Sequence, residues 1–267
     1  MKRNFVLAIG FISILFSLNA CKNNSTNPGD SNTNTGSPTT YFPNNDGTSY
    51  KYSVVKTDSA QYQTSVTRTA YYSGTTVSGS ITYQKEIDSV GSLGLANVST
   101  SLFVKDNNGV YFHVDTTGLY KVIPAAYKDY ISIDQSIEIL KTSFQDGNSW
   151  AAFSLGLKYS TLSLTIAKVD AVFKGIEQVT LGLTTGTVTL SAAKIQYTLT
   201  LSIPDPNNLF ATPSKSTFTA NAWFADKIGI VKIDGNATIL DTFTGNGINF
   251  ADTTSTATQS LIKYNIK

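Results

Sequence analysis

The sequence predicts an all-β protein: a single antiparallel meander that forms a barrel, a half-barrel or a strongly curved sheet. Charged residues make up only 14% of the 267 residues, and three are glutamates, which is too few for a charged helical bundle. The 14 Tyr and 14 Phe, with abundant Ser and Thr, suit pleated, half-buried surfaces. Alternation with a period of two dominates from residue 41 onward, and its one-faced character excludes a parallel doubly wound sheet.

The alternation also predicts individual strands and turns. From Ala193 to Ile203 the apolar residues fall on odd numbers, whereas Val188, Leu190 and Ala192 have the opposite parity. This slip predicts a β-bulge at Ala192-Ala193. Residues 77–87 and 131–139 also place their apolar side chains on odd numbers. Turns are predicted at residues 107–109, 116–118 and 234–236, and a short helical turn near residues 124–130.

The N-terminal segment combines a basic start, Lys2 and Arg3, with an apolar run over residues 5–18, and residues 18–21 read LNAC. This pattern resembles a bacterial lipoprotein signal with its lipobox. The resemblance implies cleavage before Cys21, diacylglyceryl attachment to its sulfur, and acylation, for example by palmitate, of the new N-terminus. Lys22 in place of Asp favours, by the same resemblance, the outer membrane, with the periplasmic or surface face left open. Cys21 is the chain's one cysteine, so it has no disulfide partner.

The chain divides into three parts on composition. Residues 1–20 are predicted to form a signal helix, and residues 21–40 the lipidated cysteine with a linker rich in Ser, Thr and Asn. Residues 22–40 contain no large apolar side chain, so they should form a flexible tether that spans ~25 Å. Residues 41–267 are predicted to form the β domain.

A short motif occurs twice, 100 residues apart: residues 46–50 read DGTSY and residues 146–150 read DGNSW. One interpretation is a pair of related β halves, at about 41–140 and 141–267. The other is that a Gly turn followed by an aromatic residue is simply a good start for a strand. Either way, Tyr50 and Trp150 are predicted to be buried near strand starts.

Two segments carry a second resemblance. Residues 41–50 begin with Tyr-Phe-Pro, and residues 223–232 read WFADKIGIVK. Both resemble segments of bacterial envelope lipoproteins whose curved antiparallel domain is similar to lipoprotein carriers and lipocalins. The resemblance implies a fold, and gives no ligand.

Candidate catalytic residues are few. His113, the chain's one histidine, is predicted to face solvent on a strand, and a zinc site lacks further His or Cys ligands. Glu86 and Asp88 lie two residues apart, about 7 Å by strand rise, but we interpret them as a pair on a solvent face. Asp205 lies in an oxygen-rich segment without the Glu that a Ca²⁺ loop needs. We therefore expect no catalytic residues, no metal, no cofactor and no enzyme activity.

Aromatic side chains offer a binding hypothesis, with Trp223, Tyr111 and Tyr72 as the candidate ligand-binding residues. Because Phe224 shares the apolar parity of its strand, Trp223 should point the other way, as a sugar-stacking platform, a pocket wall or part of a second core face. The favoured function is a non-enzymatic, membrane-anchored envelope lipoprotein that binds an apolar or amphipathic ligand in its curved sheet. The alternative is an adhesion or scaffold module that binds glycan or protein through exposed aromatics.

Partners follow from charge and composition. Without Lys2 and Arg3 the chain has 18 basic and 18 acidic residues, so no nucleic-acid partner is expected. We expect a monomer that contacts the membrane through Cys21 and binds a lipid or hydrophobic small molecule. A transmembrane barrel would also show alternating strands of about ten residues, but the lipid anchor makes that function redundant.

Overall fold

A computed structural model describes residues 24–25, 38–91, 97–114, 129–141, 147–159, 162–203, 213–239 and 254–267. The predicted signal segment, Cys21 and most of the linker lie outside these residues, as do the predicted turn at 116–118 and residues 124–128. A 3₁₀ turn covers Pro38–Tyr41. The strands are β1 (Asn24–Ser25), β2 (Ser49–Thr57), β3 (Gln63–Ser78), β4 (Ile81–Gly91), β5 (Asn97–Lys105), β6 (Gly109–His113), β7 (Ile131–Ile133), β8 (Ser136–Lys141), β9 (Ser149–Tyr159), β10 (Leu162–Leu183), β11 (Gly186–Ile203), β12 (Ser214–Ala225), β13 (Ile228–Asn236) and β14 (Thr256–Asn265).

All of these strands belong to one antiparallel sheet. Its order is β7-β9-β10-β11-β12-β13-β14-β2-β3-β4-β5-β6-β8, and β1 pairs with β13 off this path. The two end strands, β7 and β8, each pair on one side only within the described residues. The result is one large curved sheet that is not closed into a barrel, so the all-β prediction is confirmed as its strongly curved form.

The curvature encloses the core. Trp150 Nε1 on β9 donates to the carbonyl of Glu138 on β8 at 2.8 Å, and Tyr197 on β11 donates to the carbonyl of Ile139 on β8 at 2.6 Å. These bonds connect β8, at one end of the sheet, with strands near the other end. Tyr50 and Trp150 are both buried at the second residue of their strands, as predicted.

Strand β11 confirms the predicted alternation and its slip. The odd-numbered residues from Ala193 to Leu201 are buried, and so are Leu190 and Ala192 before them. The ladder with β10 shifts at this point, because two residues of β10, Lys174 and Gly175, face only Lys194. The extra residue of the bulge thus lies on β10 and not at Ala192-Ala193 as predicted, since β11 pairs with β12 through both alanines without a shift.

The turn signals have mixed outcomes. Residues 107–109 lead into the β5–β6 hairpin as predicted. The turn predicted at residues 234–236 is wrong, because these residues lie inside β13 and pair with β12 and β14. A Cβ on Gly235 would stand 2.6 Å from the Cα of Ala220, and its φ is +146°. Gly235 is thus required because β12 and β13 approach each other closely at this point. In the sequence, a glycine required for this reason looks the same as a glycine of a turn.

Strands β10 and β11 extend past their neighbours. Residues 178–183 and 186–191 pair with each other but not with β9 or β12, and together they form an arm. Val179, Leu181 and Leu190 are buried on its inner side. At its tip the backbone N–H of Thr184 donates to the carbonyl of Ile262 at 2.8 Å. Ile262 is the bulged residue where β14 pairs with β2, so the arm reaches across to β14.

The two copies of the short motif have the same backbone hydrogen bonds. Gly47 N–H donates to the carbonyl of Tyr72 at 3.0 Å, and Gly147 N–H donates to the carbonyl of Phe173 at 3.2 Å. Asp146 lies outside the described residues. Both glycines have positive φ, +83° and +75°, which favours glycine at this turn. Duplication of the two halves stays a prediction.

Part of the predicted tether contacts the domain. Asn24 pairs with Gly229 and Ser25 with Ile228, at a stretch of β13 that β14 does not reach. The backbone N–H of Lys227 also donates to the carbonyl of Thr40 at 2.8 Å. Among the described residues, no helix is both long enough and apolar enough to span a bilayer.

Candidate functional site

The interior of the sheet contains a group of polar side chains that we call the polar cluster. It comprises Arg68 on β3, Glu86 and Asp88 on β4, Ser101 on β5 and Gln259 on β14. Each of them is at most 2% exposed to solvent. Burial of a charged group costs several kcal/mol per ion unless the group is paired and hydrogen-bonded. The contacts within the cluster therefore determine whether its charges are stable in the interior.

Arg68 is the centre of the cluster. Its Nη2 lies 3.3 Å from Glu86 Oε1 and also hydrogen-bonds Asp88 Oδ2, while its Nη1 donates to Gln259 Oε1 at 3.4 Å. One guanidinium therefore serves two carboxylates. Glu86 and Asp88 do not lie on a solvent face, and that interpretation is wrong because these side chains occupy the inward face of β4. The odd-numbered Val77 and Ile81, expected on the buried parity, are instead 67% and 44% exposed.

Tyrosines surround the cluster on one side. The hydroxyl of Tyr72 donates to Glu86 Oε2 at 2.7 Å, and the guanidinium carbon of Arg68 lies 5.8 Å from the centre of the Tyr52 ring. Tyr50 stacks on Tyr52 with ring centres 6.1 Å apart. Burial, followed by nearby Tyr52 and Glu86, raises the pKa of Tyr50 far above its ordinary value, so its phenol stays neutral.

Four buried polar atoms of the cluster have no hydrogen-bond partner among the described residues: Arg68 Nε, Asp88 Oδ1, Ser101 Oγ and Gln259 Nε2. Most buried polar atoms in folded proteins are hydrogen-bonded, so each exception calls for a partner such as water, an ion or a ligand. The four atoms are one carboxylate acceptor, one hydroxyl, one amide donor and one guanidinium N–H donor. They could hold a small polar group of a ligand.

The corresponding place in the second half of the sheet is apolar. Tyr72, Glu86 and Ser101 lie side by side on β3, β4 and β5. Phe173, Ile195 and Ala222 lie side by side on β10, β11 and β12. Because Tyr72 and Phe173 have equivalent bonds to the two Gly motifs, these rows correspond to each other. The interior thus has a polar end in the first half and an apolar wall in the second.

The three aromatic residues singled out from the sequence lie in separate places. Tyr72 faces the interior and contacts the polar cluster. Tyr111 on β6 alternates with the buried Val110 and Phe112, so it lies on the outer face. Trp223 lies on β12, beside the buried Phe224. The structure does not bring these three side chains into one site.

Trp223 is covered by charged side chains. Its Nε1 donates to Glu177 Oε2 at 2.8 Å, and the Nζ atoms of Lys194 and Lys232 lie 5.1 and 4.8 Å from its ring centre. Lys194 Nζ also donates to Glu177 Oε1 at 2.8 Å. The hydrogen bonds from Lys194 and then Trp223 lower the pKa of Glu177. Trp223 is only 7% exposed, so a ligand that stacks on its ring would first have to displace a lysine.

Tyr111 contacts a partly buried carboxyl. Its hydroxyl donates to Glu138 Oε1 at 3.4 Å. Burial, and then the charge of Glu138, raises the pKa of Tyr111 to about 12, and burial also raises the pKa of Glu138. His113, on the same face, is half-buried against Tyr83 with ring centres 4.9 Å apart. Its Nδ1 is buried without a hydrogen-bond partner in the described residues, so the histidine is more enclosed than predicted.

Sequence reasoning missed Arg68, Ser101 and Gln259. Arg68 has a detectable signal, because it shares the parity of Ala70 and Tyr72, which are buried. A charged residue on an apolar parity indicates a buried partner of opposite charge. No group of three or more His, Cys, Asp or Glu side chains suited to a metal ion occurs among the described residues.

Comparison with solved structures finds distant likenesses. A protein proposed to be a lipoprotein from Parabacteroides distasonis is 11% identical, with 84% of this chain and 98% of that chain covered and a TM-score of 0.42. A protein proposed to be exported, with a YmcC-like fold, from Bacteroides fragilis is 13% identical, with the same coverage and a TM-score of 0.43. The hypothetical lipoprotein YmcC of Escherichia coli is 11% identical, with 80% and 84% covered and a TM-score of 0.30. No protein-family model and no curated protein matches the chain.

Proposed function

We propose that the chain is a lipid-anchored envelope protein that binds an apolar or amphipathic ligand inside its curved sheet, without catalysis. The observation that carries the proposal is the set of buried polar atoms without hydrogen-bond partners in the polar cluster, at Asp88, Ser101 and Gln259 among others, next to a largely apolar core. A ligand with a polar head and an apolar body would satisfy those atoms and contact the surrounding apolar side chains. Ligand sites commonly combine an apolar lining with a few such polar groups.

The division of the interior supports an amphipathic ligand. Around the cluster stand Tyr50, Tyr52 and Tyr72, and Phe103 packs edge-on to Tyr72 at 6.3 Å. Farther along the sheet the corresponding positions are Phe173, Ile195 and Ala222, all buried. One end of the interior can therefore recognise a polar head, whereas the other offers apolar surface.

Binding rather than catalysis is supported by how the carboxylates are held. Glu86 receives hydrogen bonds from Tyr72 and Arg68, and Asp88 receives one from Arg68. Both carboxylates are therefore engaged in contacts within the protein, as structural groups are. His113, the other candidate for proton transfer, lies on the outer face.

The envelope location rests on the lipobox resemblance at residues 18–21 and on Lys22. With Cys21 lipidated, we expect labelled palmitate in the wild-type protein and none in Cys21→Ser. Lys22→Ala is the matched control and should retain the label. Lys22→Asp should keep the label but move the protein from the outer to the inner membrane. Equal labelling of the wild type and Cys21→Ser would refute the anchor.

The ligand itself is testable by native mass spectrometry of the whole lipoprotein extracted in a mild detergent. We expect one co-purified small molecule per chain, lost after Arg68→Val. The control is Lys168→Met, which removes an exposed lysine on the same kind of strand, next to Val169. Absence of any bound molecule from protein extracted under several mild conditions would contradict the proposed function.

A further inference from the structure

We infer that the domain docks on the bilayer through the end of its β3–β4 hairpin, residues 75–84, which we call the hairpin tip. The inference rests on the lipid anchor of the proposed function and adds a second membrane contact to it. It comes from the exposed side chains of the hairpin tip and from the place where the N-terminal segment pairs with the domain.

The hairpin tip exposes aliphatic side chains and contains no charge. Val77 is 67% exposed and Ile81 is 44% exposed. They lie on opposite faces of the hairpin, because Val77 pairs with Thr82 whereas Ile81 pairs with Ser78. Residues 69–84 contain no Asp, Glu, Lys, Arg or His. The hairpin tip can therefore enter the head-group region of a bilayer without desolvating a charged side chain.

The exposed aliphatic side chains of the described residues all lie toward one end of the sheet. The third of them, Ile176, follows Phe173 by three residues, and the hairpin tip follows Tyr72 in the same way. Tyr72 and Phe173 are equivalent in their bonds to the two Gly motifs. By contrast, the β2–β3 turn at the opposite end contains Asp58. Exposed apolar side chains grouped in this way indicate an interaction surface.

The N-terminal segment meets the domain at the same end. Asn24 pairs with Gly229 and Ser25 with Ile228, beside the β12–β13 turn. From that turn β13 runs away, β14 returns, β2 runs away and β3 returns to the hairpin tip, because each neighbouring pair is antiparallel. The β12–β13 turn and the hairpin tip therefore lie at one end of the sheet.

This pairing also shortens the tether. Cys21 precedes Asn24 by three residues, which span at most about 11 Å when fully extended. A lipid attached to Cys21 therefore holds this end of the domain close to the head groups, in place of the ~25 Å tether expected from composition. A bilayer is the occupant that this geometry favours for the hairpin tip.

The experiment places a fluorescent dye on the whole lipoprotein in phosphatidylcholine vesicles. The variants are Val77→Cys, Ile81→Cys and, as the control at the opposite end, Tyr62→Cys at an exposed tyrosine of the β2–β3 turn. A maleimide dye reacts with the introduced thiol, since the sulfur of a lipidated Cys21 is a thioether. Lipids with a nitroxide close to the head group quench a dye that lies near them. We expect quenching at residues 77 and 81 to exceed that at residue 62 several-fold.

An added charge tests whether apolar contact causes the docking. In the dye-labelled Ile81→Cys protein, Val77→Asp should reduce quenching to the level at residue 62, because a carboxylate resists transfer out of water. Ser65→Asp, at an exposed serine of β3 nearer the opposite end, is the matched control and should leave quenching unchanged. Unchanged quenching in Val77→Asp would overturn the inference.

The outcomes separate this inference from the proposed function. Equal quenching at residues 62, 77 and 81 overturns the docking inference and leaves the lipid anchor and the ligand as proposed. Two dye molecules per chain in Val77→Cys would show a free Cys21 sulfur, which overturns the anchor and this inference with it. If the dyes at residues 77 and 81 are shielded only in a species of doubled native mass, the hairpin tip binds a second copy of the chain and the inference is overturned.

Discussion

Tyr72 and Phe173 occupy equivalent positions, since each exchanges two backbone hydrogen bonds with the glycine motif before its neighbouring strand. Tyr72 bonds Gly47 and Thr48 at 3.0 and 2.9 Å, and Phe173 bonds Gly147 and Asn148 at 3.2 and 2.9 Å. Two residues beyond each aromatic, the ladder shifts at a glycine with positive φ. The local backbone is therefore the same, whereas the side chains differ: a tyrosine bonded to a buried Glu stands where the second half has phenylalanine.

This relationship predicts how the polar cluster affects stability. Arg68→Val alone should lower the free energy of unfolding by about 3–5 kcal/mol, because two buried carboxylates lose their cation. Replacing Arg68, Glu86 and Asp88 together by Val, Ile and Leu should restore most of that loss, since Val169, Ile195 and Tyr197 stand without a charge at the equivalent places of the second half. Urea unfolding at neutral pH measures both. A triple variant no more stable than Arg68→Val would contradict the comparison of the two halves.

An exposed ion pair provides the control for that series. Lys168 and Asp170 on β10 lie 2.7 Å apart, and both side chains are two-fifths exposed or more. Lys168→Met should therefore change stability by less than about 1 kcal/mol. A loss similar to that of Arg68→Val would show that burial is not the cause.

The arm formed by β10 and β11 is expected to control access to the interior. At the tip of the arm, the backbone N–H of Thr184 donates to the carbonyl of Ile262. The adjacent Leu261 pairs with Tyr52, which lies beside the polar cluster. Thr184→Pro removes this N–H, and proline is tolerated because Thr184 has no positive φ and begins a two-residue turn. We expect a fluorescent apolar probe to associate with the interior and dissociate from it several-fold faster, as measured by stopped-flow fluorescence.

Thr184→Ala is the matched control for the arm, because it keeps the backbone N–H. It should retain wild-type rates. Equal rates in the wild type, Thr184→Ala and Thr184→Pro would mean that ligand enters elsewhere.

Trp223 and Phe224 should differ in their contributions to stability. Phe224 is buried in the core, so Phe224→Ala should cost ~3–5 kcal/mol. Trp223→Phe keeps a six-membered aromatic ring but loses the pyrrole ring and its Nε1 bond to Glu177, and should cost less than Phe224→Ala, about 1–2 kcal/mol. Chemical denaturation measures both, and a larger loss for Trp223→Phe than for Phe224→Ala would contradict the assignment of Phe224 to the main core.

Glu177 should titrate below the ordinary glutamate pKa. Lys194 and Trp223 hydrogen-bond its ionised form, which lowers the pKa. A lowered carboxyl pKa stabilises the fold above the ordinary value of about 4.3, and this contribution disappears as pH falls through the lowered pKa. NMR titration of the Glu177 side chain should show a rise toward the ordinary value in Lys194→Met. No rise, or an equal rise in Lys168→Met, would remove Lys194 as the cause.

Much of the fold could be predicted from alternation alone. The odd parity of β11, its slip at Ala192-Ala193 and the buried Tyr50 and Trp150 are all confirmed. On β4 the alternation predicted the wrong buried face. The inward face of this strand contains Glu86 and Asp88, and Ile81 near the hairpin tip is exposed. Side-chain polarity does not determine the buried face of a strand when a buried arginine compensates for the charge.

The candidate site was less accessible to sequence reasoning. Arg68 and Gln259 are 191 residues apart, and their contact depends on β14 pairing with β2 next to β3. A single sequence contains no signal for that pairing. The aromatic residues Tyr111 and Trp223 stand out locally, but they bond to Glu138 and Glu177 on the outer face.

Tyr111 gives the final prediction, which concerns alkaline pH. Burial first, and then the charge of Glu138, raises its pKa to about 12. The folded protein therefore keeps this proton at pH values where the unfolded chain, with an ordinary tyrosine pKa of about 10, loses it. Because the folded state then binds more protons, stability should fall as pH rises from about 10 to 12.

Two substitutions test this. Tyr111→Phe should reduce the alkaline slope of stability, and Glu138→Gln should lower the pKa of Tyr111 because it removes a nearby negative charge and keeps a hydrogen-bond acceptor. Ultraviolet titration of phenolate, taken as wild type minus Tyr111→Phe, measures that pKa directly. Tyr62→Phe, at an exposed tyrosine, is the control for the substitution itself. A difference midpoint near 10 in the wild type would show that burial and Glu138 do not hold the proton on Tyr111.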